Sequence, residues 1–174
     1  MNKIILITII LLSGLLLFGC TSSENTTNNP NTQTQQAQEY AIGESFTADN
    51  LEFKVISFDE IYALGSEYLY KEASEGAMFY LIELNIKNNS NSEKTVTISN
   101  DIQIIDSKGR TYKPDSTASM YAKQSGFETF SIIETIQAGL SKTGMIVFEM
   151  PEETTGKLKI KPNMFSQEVT VNLN

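Results

Sequence analysis

The side chains that could do chemistry here are hydroxyls, carboxylates, lysines and tyrosines. The chain has no histidine, no tryptophan and a single cysteine, Cys20. Without histidine, a serine lacks its usual activating base and a metal lacks its commonest neutral ligand. Ser107-Lys108 and Ser141-Lys142 place a hydroxyl beside an amine, but adjacent residues on a turn point in different directions, so neither pair reads as nucleophile and base. Carboxylates occur as Asp59-Glu60, as Glu72 with Glu75, and as Asp101 with Asp106. Ca2+ needs about six to eight oxygens, and none of these runs has a calcium-loop pattern. They read as solvated acidic surface. A carboxylate pair for glycoside hydrolysis would lack a tryptophan platform for the sugar. No phosphate-cradling glycine loop and no His/Cys metal spacing is present. The expectation is a non-enzyme with no cofactor and no metal site.

Tyrosine is placed less evenly. Ile61 to Lys71 carries Tyr62, Tyr68 and Tyr70, and is too long for a tight turn; Pro114 to Gly126 carries Met120 and Tyr121. Long connections on a rigid scaffold are where binding residues tend to sit, and tyrosine gives a large amphipathic contact at low entropy cost. Tyr68, Tyr70 and Tyr121 are therefore the candidate binding surface. Two other readings stand beside it: the rings cap the open ends of the core, or Ile61 to Tyr70 holds an extra strand or short helix.

Cys20 stands at a boundary. Met1-Asn2-Lys3 is a short basic start, Ile4 to Phe18 is apolar, and the chain turns polar after Cys20. That order is the pattern of a secretory signal peptide, and the apolar run falls short of the ~20 residues a spanning helix needs. Leu17, Gly19 and Cys20 resemble the lipobox of bacterial and archaeal lipoproteins, with Phe18 departing from the usual small residue. The resemblance implies a lipid on the Cys20 thiol, removal of residues 1–19, and attachment to the cell membrane at its extracytoplasmic face. With its one cysteine so used, the domain has no internal disulfide.

Residues 20–39 are rich in Ser, Thr, Asn and Gln, which cannot bury enough apolar surface to offset chain entropy, so they read as a disordered tether. Residues 40–174 then suit one domain with one core. The formal charge of -8 includes Lys3, so the mature chain is more acidic still. That balance excludes nucleic acid as a partner and opposes electrostatic adhesion to anionic headgroups. Asn25-Thr26-Thr27 and Asn88-Asn89-Ser90 have the form of glycosylation acceptors, and equally of ordinary polar stretches.

The elements that must position these residues are strands. Leu51 to Phe58 alternates for most of its length, after a weaker strand at Gly43 to Ala48. Ala77 to Lys87 is the strongest: Met78, Tyr80, Ile82, Leu84 and Ile86 share one apolar face, which points to the core, while the opposite face is apolar only at Phe79 and Leu81. Strands follow at Thr95–Ser99 and Ile102–Ile105. Asp106 to Gly109 is a hairpin turn into Arg110 to Lys113, with Gly109 supplying positive φ. Phe127 to Ile136 fits a strand or a short helix. Gly144 to Met150, Lys157 to Lys161 and Glu168 to Leu173 complete the count. Short strands between regular turns, without a long helix, predict an all-β antiparallel sandwich or barrel.

Three stretches carry a resemblance to a known family. Tyr80 to Ser90, Ile105 to Tyr112 and Ala138 to Pro151 resemble the central strand, the following hairpin and the late turn and strand of a domain-of-unknown-function family found in secreted bacterial and archaeal lipoproteins. Ala138 stands where that family usually has proline. The resemblance covers roughly residues 40–174 and implies an immunoglobulin-like, telokin-like β-sandwich. It carries no catalytic or ligand residue. The expected function is a non-catalytic binding or interaction module of the cell envelope, with an envelope or extracellular protein as partner. The alternative is a Ca2+- or small-ligand-binding accessory of an envelope transport or sensing system.

Overall fold

The computed structural model describes residues 38–173. The leader, the lipobox at Cys20 and most of the tether lie outside the described residues. In chain order the first strands are β1 (Gln38–Ala41), β2 (Ser45–Ala48), β3 (Leu51–Ile61), β4 (Ala63–Ser66), β5 (Leu69–Glu72), β6 (Ala77–Asn88) and β7 (Lys94–Thr97). A helical turn α1 (Ile98–Asp101), β8 (Ile102–Asp106), β9 (Thr111–Tyr112) and helix α2 (Ser116–Gln124) follow. β10 (Ile133–Ile136), β11 (Ser141–Pro151), β12 (Gly156–Ile160) and β13 (Val169–Asn172) close the chain.

The expected sandwich forms. One sheet has the order β1-β13-β12-β8-β9 and the facing sheet β11-β6-β3-β2. Pairing is antiparallel apart from β1 on β13, which is parallel. The core between the sheets takes Tyr80, Ile82, Leu84 and Ile86 from β6, the face that the period of two assigns inward. Across it lie Ile102, Ile104, Leu158, Ile160, Val169 and Val171.

β3 needs a bulge to keep its apolar residues inside. Val55 opposes Leu84 and Phe58 opposes Ile82, with a register shift between Val55 and Ser57. Strict alternation would send Phe58 outward. The extra residue resets the period, so Ile56 is exposed and Phe58 packs on the core.

The outer face of β6 departs from a one-core reading. Phe79 and Leu81 are buried in a second apolar cluster with Leu64, Ala118, Ala122, Met145 and Val147. The β4–β5 hairpin and α2 form this outer layer on the four-stranded sheet. Three further expectations are corrected. The connection Pro114 to Gly126 holds α2, and Phe127 to Ile136 forms a continuous strand only from Ile133. The expected strand through Ser99 ends at Thr97, where the chain turns through α1.

Candidate functional site

Helix α2 begins at Asp115, whose carboxylate accepts from Thr117 N and Ala118 N, satisfying two donors of the first turn. Asp115 N in turn donates to Val147 O at 2.8 Å, tying the start of the helix to β11. Its inward face is small: Ala118 and Ala122 are fully buried, and Tyr121 packs beside them on the second cluster. Ser116, Ser119, Met120 and Lys123 lie one helical face away, at the three- and four-residue spacing that aligns side chains.

That second face lines a groove of about 410 Å3. The other wall is the segment from Thr129 to Ile132, and the floor is Ile98, Met145 and Ile146. The segment 128–130 is held against β11: Met145 N donates to Glu128 O at 2.7 Å and Phe130 N to Met145 O at 3.2 Å. Gly144 makes room for the Phe130 ring, since a Cβ there would come within 3.1 Å of it. Below, the buried carboxylate of Glu134 accepts from Ser131 N and from Lys142 Nζ. Burial pushes the Glu134 carboxyl up, but these donors prevail and hold it below the ordinary value. Both walls are thus fixed before any ligand arrives.

The groove combines an apolar floor with a hydroxyl-rich rim from Ser99, Ser116, Thr117 and Ser119 and one amine from Lys123. Met120 and Ile132 stand open at its mouth. Thr129, only 7% exposed, has a buried hydroxyl with no hydrogen-bond partner among the described residues, an uncommon state for a buried polar group. Such volume and lining suit a small apolar molecule or a side chain of a partner.

The tyrosines singled out in the sequence divide between two environments. Tyr68 is 91% and Tyr70 59% exposed on the β4–β5 hairpin, whereas Tyr121 packs on the second cluster. Their two connections do meet. The Ser125 hydroxyl, just past α2, accepts from Gly65 N at 2.7 Å and lies 3.2 Å from Gly65 O. The stretch Ile61 to Tyr70 holds all of β4 and the start of β5, so it matches the extra-strand alternative with a hairpin in place of a single strand. The groove has no signature in the sequence: Met120 and Tyr121 are neighbours there, and the helix turns them to different sides. The signal available for the helix was Asp115 followed by alanines four residues apart.

Asp59, Glu60, Glu72 and Glu75 are exposed, as expected of solvated carboxylates, but Asp101 and Asp106 depart from that reading. Asp106 is buried under its own turn and accepts from Lys108 N, Arg110 N, Arg110 Nε and Tyr112 OH. Burial pushes its carboxyl up, but Arg110, Tyr112 and Lys108 outweigh this and bring it to about 2. Among the described residues no group of three or more His, Cys, Asp or Glu could hold a metal ion. Asn88 is fully buried, with Nδ2 donating to Ser92 O and Ile136 O, both at 2.8 Å. The folded domain therefore leaves no room for a glycan on Asn88.

Comparison with known proteins agrees with this architecture. The chain is 27% identical over 137 residues to an uncharacterised protein of Bacillus subtilis, covering 77% of this chain and 74% of that one. An uncharacterised β-sandwich protein of Clostridium difficile superposes with a TM-score of 0.54 at 18% identity, over 84% of this chain and all of the other. A candidate lipoprotein of Bacillus subtilis superposes with a TM-score of 0.53 at 19% identity, over 74% of this chain but 38% of that longer one. These two likenesses show the fold, an antiparallel β-sandwich. No described helix is long and apolar enough to cross a membrane. Residues 40–170 match the domain of unknown function DUF4352, and with the sandwich and its outer layer in place the chain belongs to that family.

Proposed function

We propose that this protein is a non-catalytic binding module of the cell envelope, held at the extracytoplasmic face of the membrane by a lipid on Cys20, and that its ligand seats in the groove beside α2. The observation that carries the binding reading is the groove itself, with fixed walls, an apolar floor and the unpartnered Thr129 hydroxyl. The anchor reading rests on the leader and lipobox pattern ending at Cys20. A partner protein that inserts an apolar side chain, or a small amphiphile, fits the lining equally in size and chemistry.

The test uses the chain from residue 21 onward, free of lipid, with an environment-sensitive anilinonaphthalene dye as a probe of the groove. The expected result is saturable fluorescence enhancement. Met120→Glu and Ile132→Glu should each weaken it roughly tenfold or more, about 1.4 kcal/mol. Both side chains are exposed, so thermal stability should stay within the small range of surface changes. Absence of saturable binding by the parent, or equal binding by both variants, removes the groove from consideration.

A further inference from the structure

The tether joins the domain at a particular edge. Gln38, the first residue of β1, pairs with Val169, the first of β13. Ile160, the last of β12, also pairs with Val169. The loop joining Ile160 to Val169 is therefore at the same end of the same sheet as the entry of the tether. Asn163 shapes that loop: its Oδ1 accepts from Phe165 N at 2.8 Å and Ser166 N at 2.9 Å. Lys161 N is held by Asp101 O at 2.8 Å. The turn leaves Met164 78% and Phe165 92% exposed, an unusual outlay of apolar surface on adjacent residues.

We propose that this loop is a membrane-contact surface, with Met164 and Phe165 entering the headgroup region of the bilayer beside the tether. The proposal rests on the anchor at Cys20 and not on the groove. The 17 residues between Cys20 and Gln38 have a composition whose typical reach is roughly 25 Å, short enough for this end of the sheet to meet the lipid while the chain stays anchored. The loop's own charge does not oppose the approach. In a chain of net -8, the run from Lys161 to Gln167 has one lysine and no acid, and the next residue, Glu168, is paired with Lys159 at 2.6 Å. Phe and Met insertion adds apolar burial to that of the lipid anchor.

The absence of tryptophan supplies a clean reporter. The full lipidated chain carrying Phe165→Trp is reconstituted in phosphatidylcholine–phosphatidylglycerol vesicles whose acyl chains are ordinary or brominated. A control carries Lys108→Trp, in the turn at the opposite end of β8, where Asp106 pairs with Gly156. Expected are a blue shift at position 165 and loss of its emission in brominated lipid, with neither at position 108. Red, unquenched emission from position 165 in a chain whose mass shows the lipid on Cys20 overturns the proposal alone. A blue shift that bromine does not quench means a second copy of the chain covers the loop, and overturns it likewise. A processed chain without lipid on Cys20 removes the anchor and the proposal together.

Discussion

Asn88 occupies a junction that only an amide can serve. Its Nδ2 donates to the carbonyls of Ser92 and Ile136, its Oδ1 accepts from Ser90 N and Ser90 Oγ, and its backbone bonds Leu140 and Gly139. Asn88→Asp keeps the shape, removes two donors and sets a carboxylate against two carbonyls. A cost of about 3 kcal/mol or more is expected, read as a lower denaturation midpoint; a midpoint equal to the parent's means the amide is not the donor. Gly65 is constrained in a different way. It has φ +127°, and a Cβ would lie 2.2 Å from Leu69 O. Gly65→Ala should force the β4–β5 hairpin apart, costing about 1–3 kcal/mol. Among the tyrosines, Tyr68→Ala and Tyr70→Ala should leave stability almost unchanged, whereas Tyr121→Ala should lower it, because only Tyr121 packs on the second cluster. Partner capture lost in the first two variants with stability intact marks the hairpin as a binding surface.

β6 is the element on which both cores depend. It pairs with β3 on one side and β11 on the other, and both of its faces are buried over Phe79 to Ile82. Leu84→Ala should cost about 2–5 kcal/mol of a total that is typically ~5–15 kcal/mol for a domain. A melting temperature close to the parent's would sink the placement of Leu84 in the core. Helix α2 is held by Asp115, so Asp115→Ala should cost about 1 kcal/mol. It should also loosen the groove, since the cap fixes the start of the helix that forms one wall. Dye affinity falling with little loss of melting temperature is the signature.

For the whole molecule, acid should act mainly through Asp106 and Glu149, with Glu134, also held low, adding in the same sense. Asp106 is held at about 2. Glu149 is also at about 2: burial raises it, but hydrogen bonds from Ser74 and Lys71 outweigh that. Both folded values lie below the unfolded ones of roughly 4. Their stabilisation is therefore fully present above about pH 4 and is lost as pH falls through about 2. Asp101, raised by burial despite its bond from Thr97, acts in the opposite sense. Denaturation midpoints measured against pH should fall most steeply below pH 4, and Asp106→Asn with Glu149→Gln should flatten that fall. Location tests the other end of the chain. Cys20→Ser should leave the protein as an unprocessed precursor or release it from the membrane fraction; a mutant lipidated and processed like the parent contradicts the lipobox.

What the sequence determined by itself was local. The strand class, the core-facing set on β6 and the turn at Gly109 follow from a period of two and positive φ, carried by neighbouring residues. Helix α2 stayed hidden because its buried face is alanine, whose apolar signal is weak, so the outer face of β6 found its cover only in the folded molecule. The same holds for the groove, whose walls are separated in sequence, for Asn88, whose amide reaches Ile136, and for Phe165, which the pairing of Gln38 with Val169 brings beside the tether. Each of these depends on which distant segments pair, and strand pairing is set by the fit of the whole core, because a local pattern assigns a residue to a face without naming the segment that covers it.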